Sequence, residues 1–389
     1  MNAIKTSGSN IIFVAIFCIV SGCNDGKRNQ PASIIKDINP ESAGSTLTKK
    51  EQLGKLLFFE TNLSTPPGQA CSQCHDPKVA FADPVTELPV SRGAHPGLYG
   101  NRNDMPVSYS AFVPPLHKDE EEDIWAGGLF WDGRANSLVD QALGPPLNPI
   151  EMANPDTLTI AEKLRNLSYA DLFREIYGPD ALGKPGTAFE NMADAIAAYE
   201  MTPEVNPFSS KYDHWLRGEV ELSEQELRGL MLFEAEDKGN CVACHPSKPG
   251  EDNNPPLFTD FTYDNLGTPR NPENPFYAMP PEFNPDGYDF VDIGLGKIVN
   301  DPAENGKFRV PTLRNVAITP PYMHNGVLKT LFSVLAFYNN RDITEWPEPE
   351  VSENVNMDEL GDLGLTTQEL EDLVAFLKTL TDGWEKEVQ

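Results

Sequence analysis

The pattern Cys-x-x-Cys-His occurs twice, as CSQCH at 71–75 and as CVACH at 241–245. No other feature constrains this chain as much. At that spacing two thiols stand one helical turn apart and reach the two vinyl groups of one porphyrin as thioethers, while the adjacent histidine falls under the iron. The chain has six cysteines, and the two words use Cys71, Cys74, Cys241 and Cys244. Three other uses compete: one zinc site with four thiolates, redox dithiols, or structural disulfides. The zinc site leaves His75 and His245 as coincidences. Redox dithiols go with a βαβ pattern that is not evident here. Disulfides are permitted in an exported chain. The paired occurrence favours two covalent haem c groups, ligated by His75 and His245.

The other two cysteines, Cys18 and Cys23, lie in an N-terminal export segment. Lys5 precedes the ten-residue apolar run IIFVAIFCIV, and small residues follow it. That is the pattern of a secretory signal, and the run is too short to span a membrane. The end, Val20-Ser21-Gly22-Cys23, resembles the bacterial lipoprotein box. This implies a signal peptide over 1–22, lipidation of Cys23 and a place in the bacterial cell envelope, on the periplasmic side. An ordinary cleaved signal with a stray cysteine is the alternative. Residues 23–46 are polar and without periodicity, and read as a tether.

A length of 389 residues suggests two or three domains, and 35 prolines and 29 glycines imply long ordered loops rather than a compact bundle. Net charge is −29, from 59 acidic and 30 basic residues. Nucleic acid is excluded as a partner, because binding it needs a basic face. The acidity serves solubility, or steers a basic electron-transfer partner.

The chain repeats more than the haem words. Each follows an amphipathic stretch, LTKKEQLGKLLFFE (47–60) or SEQELRGLMLFEAE (223–236), and both carry Gly and then Leu-Phe. A helix precedes each word on this reading, the second started by Ser223 with Glu226. Downstream, FWDGRANSLVDQALGPP (130–146) aligns with MHNGVLKTLFSVLAFYNN (323–340) when Gly133 is set on Gly326. Twelve residues beyond each glycine stand Pro145 and Tyr338. If both segments are helices over their haems, Tyr338 offers iron a phenolic oxygen and Pro145 offers nothing. The first haem is then open to a small molecule and the second is capped. Leu331, Leu335 and Tyr338 share a helix face, so a plain core aromatic is the alternative for Tyr338.

These residues resemble the dihaem cytochrome c peroxidase/MauG family from about 47 to 382. The resemblance rests on the two haem words, GGLFWDGRANSLVDQALGPPLNPIEM (127–152), FRVPTLRNVAITPPYMHNG (308–326) and the closing helix TTQELEDLVAFLKTL (366–380). It implies a mainly α fold of two cytochrome c-like haem domains with long irregular loops. The first, with the peroxidatic haem, spans 47–205; the second, with the electron-transfer haem, spans 206–382; a tail follows at 383–389. It implies a calcium ion between them, at Asn103, Thr319 and the carbonyl of Pro321, a hard-oxygen set. Trp131 takes the place of an electron relay. Gln141, Pro145 and Glu151 take the places of the peroxide pocket, Glu151 moving a proton and Gln141 orienting the bound oxygens. A capping carboxylate is the alternative for Glu151. Tyr338 matches the MauG-like form, in which tyrosine replaces the methionine usual in peroxidases fed by small cytochromes. Met323, Met279 and Met357 are rival ligands that do not match the position.

The implied activity is reduction of hydrogen peroxide at the first haem. Electrons come from a small cytochrome or cupredoxin, or from a Trp or Tyr of a protein substrate. A non-catalytic dihaem electron-transfer lipoprotein is the other class. The membrane is met only through the lipid anchor. His95, in SRGAHPGLYGNRN (91–103), falls where many family members keep a histidine that gates the first haem, although Pro96 and the Gly93 offset fit poorly. A solvent-facing loop histidine is the other reading. Residues 246–307 read as a long Pro/Asn/Asp-rich excursion, and the acidic run 342–361 as exposed.

Overall fold

The computed structural model describes residues 46–250 and 254–386. The signal segment, Cys23 and the tether up to residue 45 lie outside them, as does the end of the tail. Among the described residues the helices are, in order, α1 (Lys49–Phe58), α2 (Cys71–Cys74), α3 (Leu138–Ala142), α4 (Thr157–Arg165), α5 (Ala170–Tyr177), α6 (Pro185–Glu200), α7 (Lys211–Leu216), α8 (Glu224–Glu234), α9 (Leu295–Val299), α10 (Leu331–Asn340) and α11 (Thr367–Lys378). Two antiparallel strand pairs accompany them: β1 (His117–Asp119) with β2 (Ile124–Ala126), and β3 (Tyr263–Asp264) with β4 (Phe308–Arg309). None of these helices is long and apolar enough to cross a membrane.

The repeated order of Gly and then Leu-Phe has a packing cause. α1 starts at Thr48, whose hydroxyl accepts from the Glu51 N–H while the Glu51 carboxylate accepts from the Thr48 N–H. Ser223 with Glu226 starts α8 in the same way, and Thr366 with Glu369 starts α11. α1 crosses α6 at Gly54, where a β-carbon would stand 1.8 Å from the Ala195 carbonyl oxygen. α8 crosses α11 at Gly229, where a β-carbon would stand 2.0 Å from the Asp372 carbonyl oxygen. Only glycine lets backbones approach so closely. One turn later Phe58 and Phe233 are fully buried beneath each crossing.

The apolar core falls into two large clusters. One draws on Leu53 through Val205 and is built from α1, α4, α5 and α6. The other draws on Tyr212 through Leu380 and is built from α7, α8, α10 and α11. The excursion 246–307 holds little helix. Its Phe276, Tyr277 and Met279 pack with Leu98 of the first half, so it fastens the two halves together. The run 342–361 is less exposed than its acidity suggests. Val351 is buried, and Glu350 and Asn356 take backbone bonds to Thr268 and Asn265.

Arg314 is a second fastening. Its guanidinium grips both oxygens of Asp213 at 2.9 and 3.0 Å and donates from Nε to Pro256 O, with both side chains of the ion pair wholly buried. The rings of Tyr109 and Phe208 lie beneath it. Burial works against the Asp213 charge, but Arg314 and Ser210 outweigh it and hold the carboxyl below its ordinary range. Arg314→Leu is therefore expected to strand a buried carboxylate and to lower unfolding stability by about 3–5 kcal/mol. Chemical denaturation of the holoprotein checks this, and a loss under 1 kcal/mol contradicts it.

Candidate functional site

Each haem word opens a cavity. Cys71, Cys74 and His75 line a void of about 1460 Å³, open mouth included. Cys241, Cys244 and His245 line a second of about 1620 Å³. The two cysteine pairs thus serve different spaces, and none of these four cysteines is joined in a disulfide. Among the described residues no three His, Cys, Asp or Glu side chains converge as a metal site needs. A single four-thiolate zinc centre is excluded. Burial pushes Cys71, Cys241 and Cys244 up to about 12, the opposite of a reactive redox dithiol.

The histidines are held alike. His75 Nδ1 lies 3.0 Å from Phe81 O, and His245 Nδ1 lies 2.7 Å from Phe258 O. A ring nitrogen tied to a carbonyl leaves Nε2 as the ligand atom, the usual arrangement for a metal-bound histidine. Both phenylalanines have left-handed backbones, with φ of 59° and 54°, a rare state for a bulky residue. Burial pushes His245 down to about 4, so its imidazole is neutral, as ligation requires. Thiols, tethered imidazole and cavity together fit a covalent haem in each half.

The first cavity gathers Gln141, Pro145 and Glu151 with His75, and Trp131 stands in its wall. Gln141 comes from α3. That helix stops at Ala142, so Pro145 sits in a turn and not on a helix over the haem. Gly144, Pro145 and Pro146 supply the stop, since two prolines cannot continue the backbone ladder. Asn148 aims Glu151: its Nδ2 donates to Oε1 at 2.7 Å, and the Glu151 carbonyl takes the Ala94 N–H. Burial, with help from the Asp104 charge, pushes Glu151 up to about 7, against the pull of Arg134 and Asn148.

Glu200 is a second acid in this wall. Met192, Ile196 and Glu200 form one stripe of α6 along the cavity. Glu200 is 4% exposed, its Oε2 has no hydrogen-bond partner among the described residues, and burial pushes it up to about 8. Below pH 4.5 this carboxyl is protonated in both folded and unfolded chains. Between pH 4.5 and 8 the unfolded chain ionises first, so the native state loses stability as pH rises. Glu200→Gln should therefore stabilise the holoprotein by on the order of 3–5 kcal/mol at pH 9 and by little at pH 4. Equal gains at the two pH values would contradict this assignment.

The second cavity gathers Tyr338 with His245, and Met323 and His324 also line it. Tyr338 projects from α10, capped at Thr330. Burial pushes its phenol well above its ordinary value, so the hydroxyl keeps its proton unless a cation faces it. Of the other methionines, Met279 takes the Tyr99 N–H and Met357 is exposed. The aligned glycines Gly133 and Gly326 both have left-handed backbones, at φ 77° and 65°.

A shared wall separates the cavities: residues 103–106, Trp131 and Arg309 line both. Trp131 Nε1 donates to Asn103 O at 2.8 Å, which fixes the indole there. Asn103, Thr319 and Pro321 all line the second cavity. Asn103 spends its amide nitrogen on Pro89 O and Thr319 its hydroxyl proton on Val316 O, so each keeps an oxygen for a hard cation. Such oxygens are of the hard type that calcium takes.

His95 is not brought to the site. It sits on an exposed turn, closed by Leu98 N–H to His95 O, in which Pro96 and Gly97 form the tip. His117 is bonded to Pro115 O and His214 to Glu219, both outside the two cavities. Sequence reasoning missed Phe81, Phe258, Asn148, Glu200 and Arg309. The two phenylalanines had a signal, because FAD at 81–83 and FTD at 258–260 echo each other after the haem words.

Comparison with known proteins agrees with this geometry. The family model for di-haem cytochrome c peroxidase matches residues 48–221. The methylamine utilization protein MauG of Paracoccus denitrificans is 40% identical over 349 residues, covering 85% of this chain and 88% of that one. The cytochrome c551 peroxidase of Nitrosomonas europaea is 30% identical, covering 91% of this chain and 84% of that one. Among solved structures, the diheme peroxidase BthA of Burkholderia thailandensis superposes with a TM-score of 0.76 at 33% identity, covering 89% of both chains. Two haem-attachment cavities, a shared tryptophan wall and similarity along most of the chain lead to one conclusion: this chain is a member of the di-haem cytochrome c peroxidase and MauG family.

Proposed function

We propose that the chain is a di-haem peroxidase that reduces hydrogen peroxide in the first cavity and draws electrons through the second. The observation that carries this is Glu151, a cavity carboxyl poised at about 7 beside the His75 attachment site. Haem iron, when bound, supplies the electrons and the point of attachment for peroxide. The remaining work falls to the protein. Peroxide needs two electrons and two protons to become two waters. With Oε1 held by Asn148, Glu151 Oε2 takes the proton from the near oxygen and returns it to the far one. Gln141 orients the oxygens. Pro145 keeps a donor atom away from the matched position, whereas Tyr338 supplies one in the second cavity. His245 and Tyr338 hold the second haem, and Trp131 is the bridge between the two.

Asn103, Thr319 and Pro321 bind a calcium ion that ties the halves together across the shared wall. Residues 47–205 and 206–382 form the two haem domains, as the two core clusters support. The electrons come from a small cytochrome or cupredoxin, or from a Trp or Tyr of a protein substrate, the MauG-like course favoured by Tyr338. The N-terminal sequence supports export and anchoring through Cys23 on the periplasmic side. High-spin ferric absorption that disappears on adding cyanide or peroxide is the expected result for the diferric protein. A wholly low-spin spectrum with no peroxide reaction would leave only electron transfer.

A further inference from the structure

Arg309 is a buried cation to which no described residue gives an anion in an ion pair. It is 5% exposed and closes β4. Its backbone N–H donates to Trp131 O at 2.9 Å, its Nε donates to Phe130 O at 3.2 Å, and a terminal nitrogen stands 3.5 Å from Met105 Sδ. These are neutral acceptors. The other buried arginines each hold a carboxylate, Arg314 that of Asp213 and Arg341 that of Asp342, and the half-buried Arg102 holds those of Asp132 and Asp292. Arg309 forms no such pair, and burial pushes its guanidinium down to about 10 with only the Tyr263 phenol opposing. An unpaired buried charge is strongly unfavourable, so a site of this kind calls for an anionic ligand.

The position says which anion. Arg309 lines both haem cavities, and its backbone is bonded to the tryptophan between them. A haem whose vinyl groups are spent on thioethers retains two propionate carboxylates as its charged groups. The guanidinium fork matches carboxylates, and with Nε committed to Phe130 O its terminal nitrogens remain to serve them. We propose that Arg309 binds a propionate of each haem and so acts as one cation shared by both cofactors. This rests on haem occupying both cavities. The shared charge has a redox consequence. A positive charge beside either porphyrin favours the ferrous state, so its loss must lower both midpoint potentials together.

The test is a spectroelectrochemical titration of the holoprotein, after haem has been counted by pyridine haemochrome. Fewer than two haems per native chain overturns the reading of the cavities and this proposal with it. With two haems present, Arg309→Gln should lower each one-electron reduction equilibrium by about tenfold, or about 59 mV per haem. Arg309→Lys keeps the charge and should restore most of the shift. Unmoved potentials in Arg309→Gln overturn the proposal while leaving the haem sites standing. A shift confined to one haem overturns the sharing. Should the glutamine variant fail to accumulate, the lysine variant carries the test by resonance Raman. Its propionate bending bands should move at both haems, because an ammonium cannot reproduce the two-nitrogen contact; unchanged bands overturn the assignment.

Discussion

Glutamine in place of Glu151 should slow peroxide consumption by about 10²–10⁴-fold, the range for loss of a positioned acid–base group. The substitution is nearly isosteric, and an amide oxygen can still accept the bond from Asn148. What it removes is the ability to take up and return a proton. The native pH profile should carry the mark of this group. Proton removal from peroxide needs the carboxylate, so kcat/KM should rise with pH through about 7, where burial and Asp104 place the Glu151 carboxyl. The glutamine variant should lose that limb as well as the rate. Asn148→Ala gives an independent check, because it frees the carboxyl without removing it. Stopped-flow measurement of peroxide disappearance across pH 5–9 resolves both effects. A glutamine variant within threefold of native, or one that keeps the inflection near pH 7, would end Glu151's assignment as the proton carrier.

How far the sequence showed this site depends on how local each part is. The haem words are local, since five consecutive residues fix two attachment points and a ligand. The helices before them were legible from periodicity, the second also from its capping pair, and the glycine ahead of Leu-Phe turned out to be the crossing point of two helix pairs. Pairing Pro145 with Tyr338 by their distance from an aligned glycine brought each into a haem cavity, but the two stretches differ. α10 runs on through Tyr338, whereas α3 ends before Pro145. The parts that were missed depend on contacts across long sequence distances. Arg309 reads as an ordinary strand arginine until the fold puts it between two cavities, in an ion pair with no described carboxylate. Glu200 looks like the polar end of an amphipathic helix until the cavity is seen to continue along that face. His95 was open between a gate and a solvent-facing loop histidine, and the exposed turn agrees with the second, because a matching loop does not fix which side of the turn faces the haem. The carbonyls that tether His75 and His245 were beyond sequence reading as contacts, although the FAD and FTD echo marked the places.

Methionine at position 338 should raise the midpoint potential of the second haem, by on the order of 0.2 V within the roughly 0.8 V that axial ligands span. The sign follows from the donor atom. A thioether favours the reduced iron, and an oxygen donor favours the oxidised iron. Phenylalanine at the same position leaves no donor, and the second haem should then change its ferric spectrum and become open to added ligands. Met323 makes the comparison a real contest, because its side chain already lines the same cavity. If Met323 were the ligand, Tyr338→Phe would leave the spectrum and the potential untouched, and Met323→Leu would alter both. The assignment of Tyr338 requires the reverse: Met323→Leu silent, Tyr338→Phe altered, and Tyr338→Met raised in potential. The consequence for function is direct. A second haem poised low by tyrosine would hold oxidising equivalents delivered past Trp131, whereas one raised by methionine would wait as a reduced donor. Tyr338→Met should therefore weaken oxidation of a protein side chain and favour turnover with a reduced small cytochrome. An unchanged ratio of the two activities, despite a raised potential, would separate the ligand from the choice of electron source.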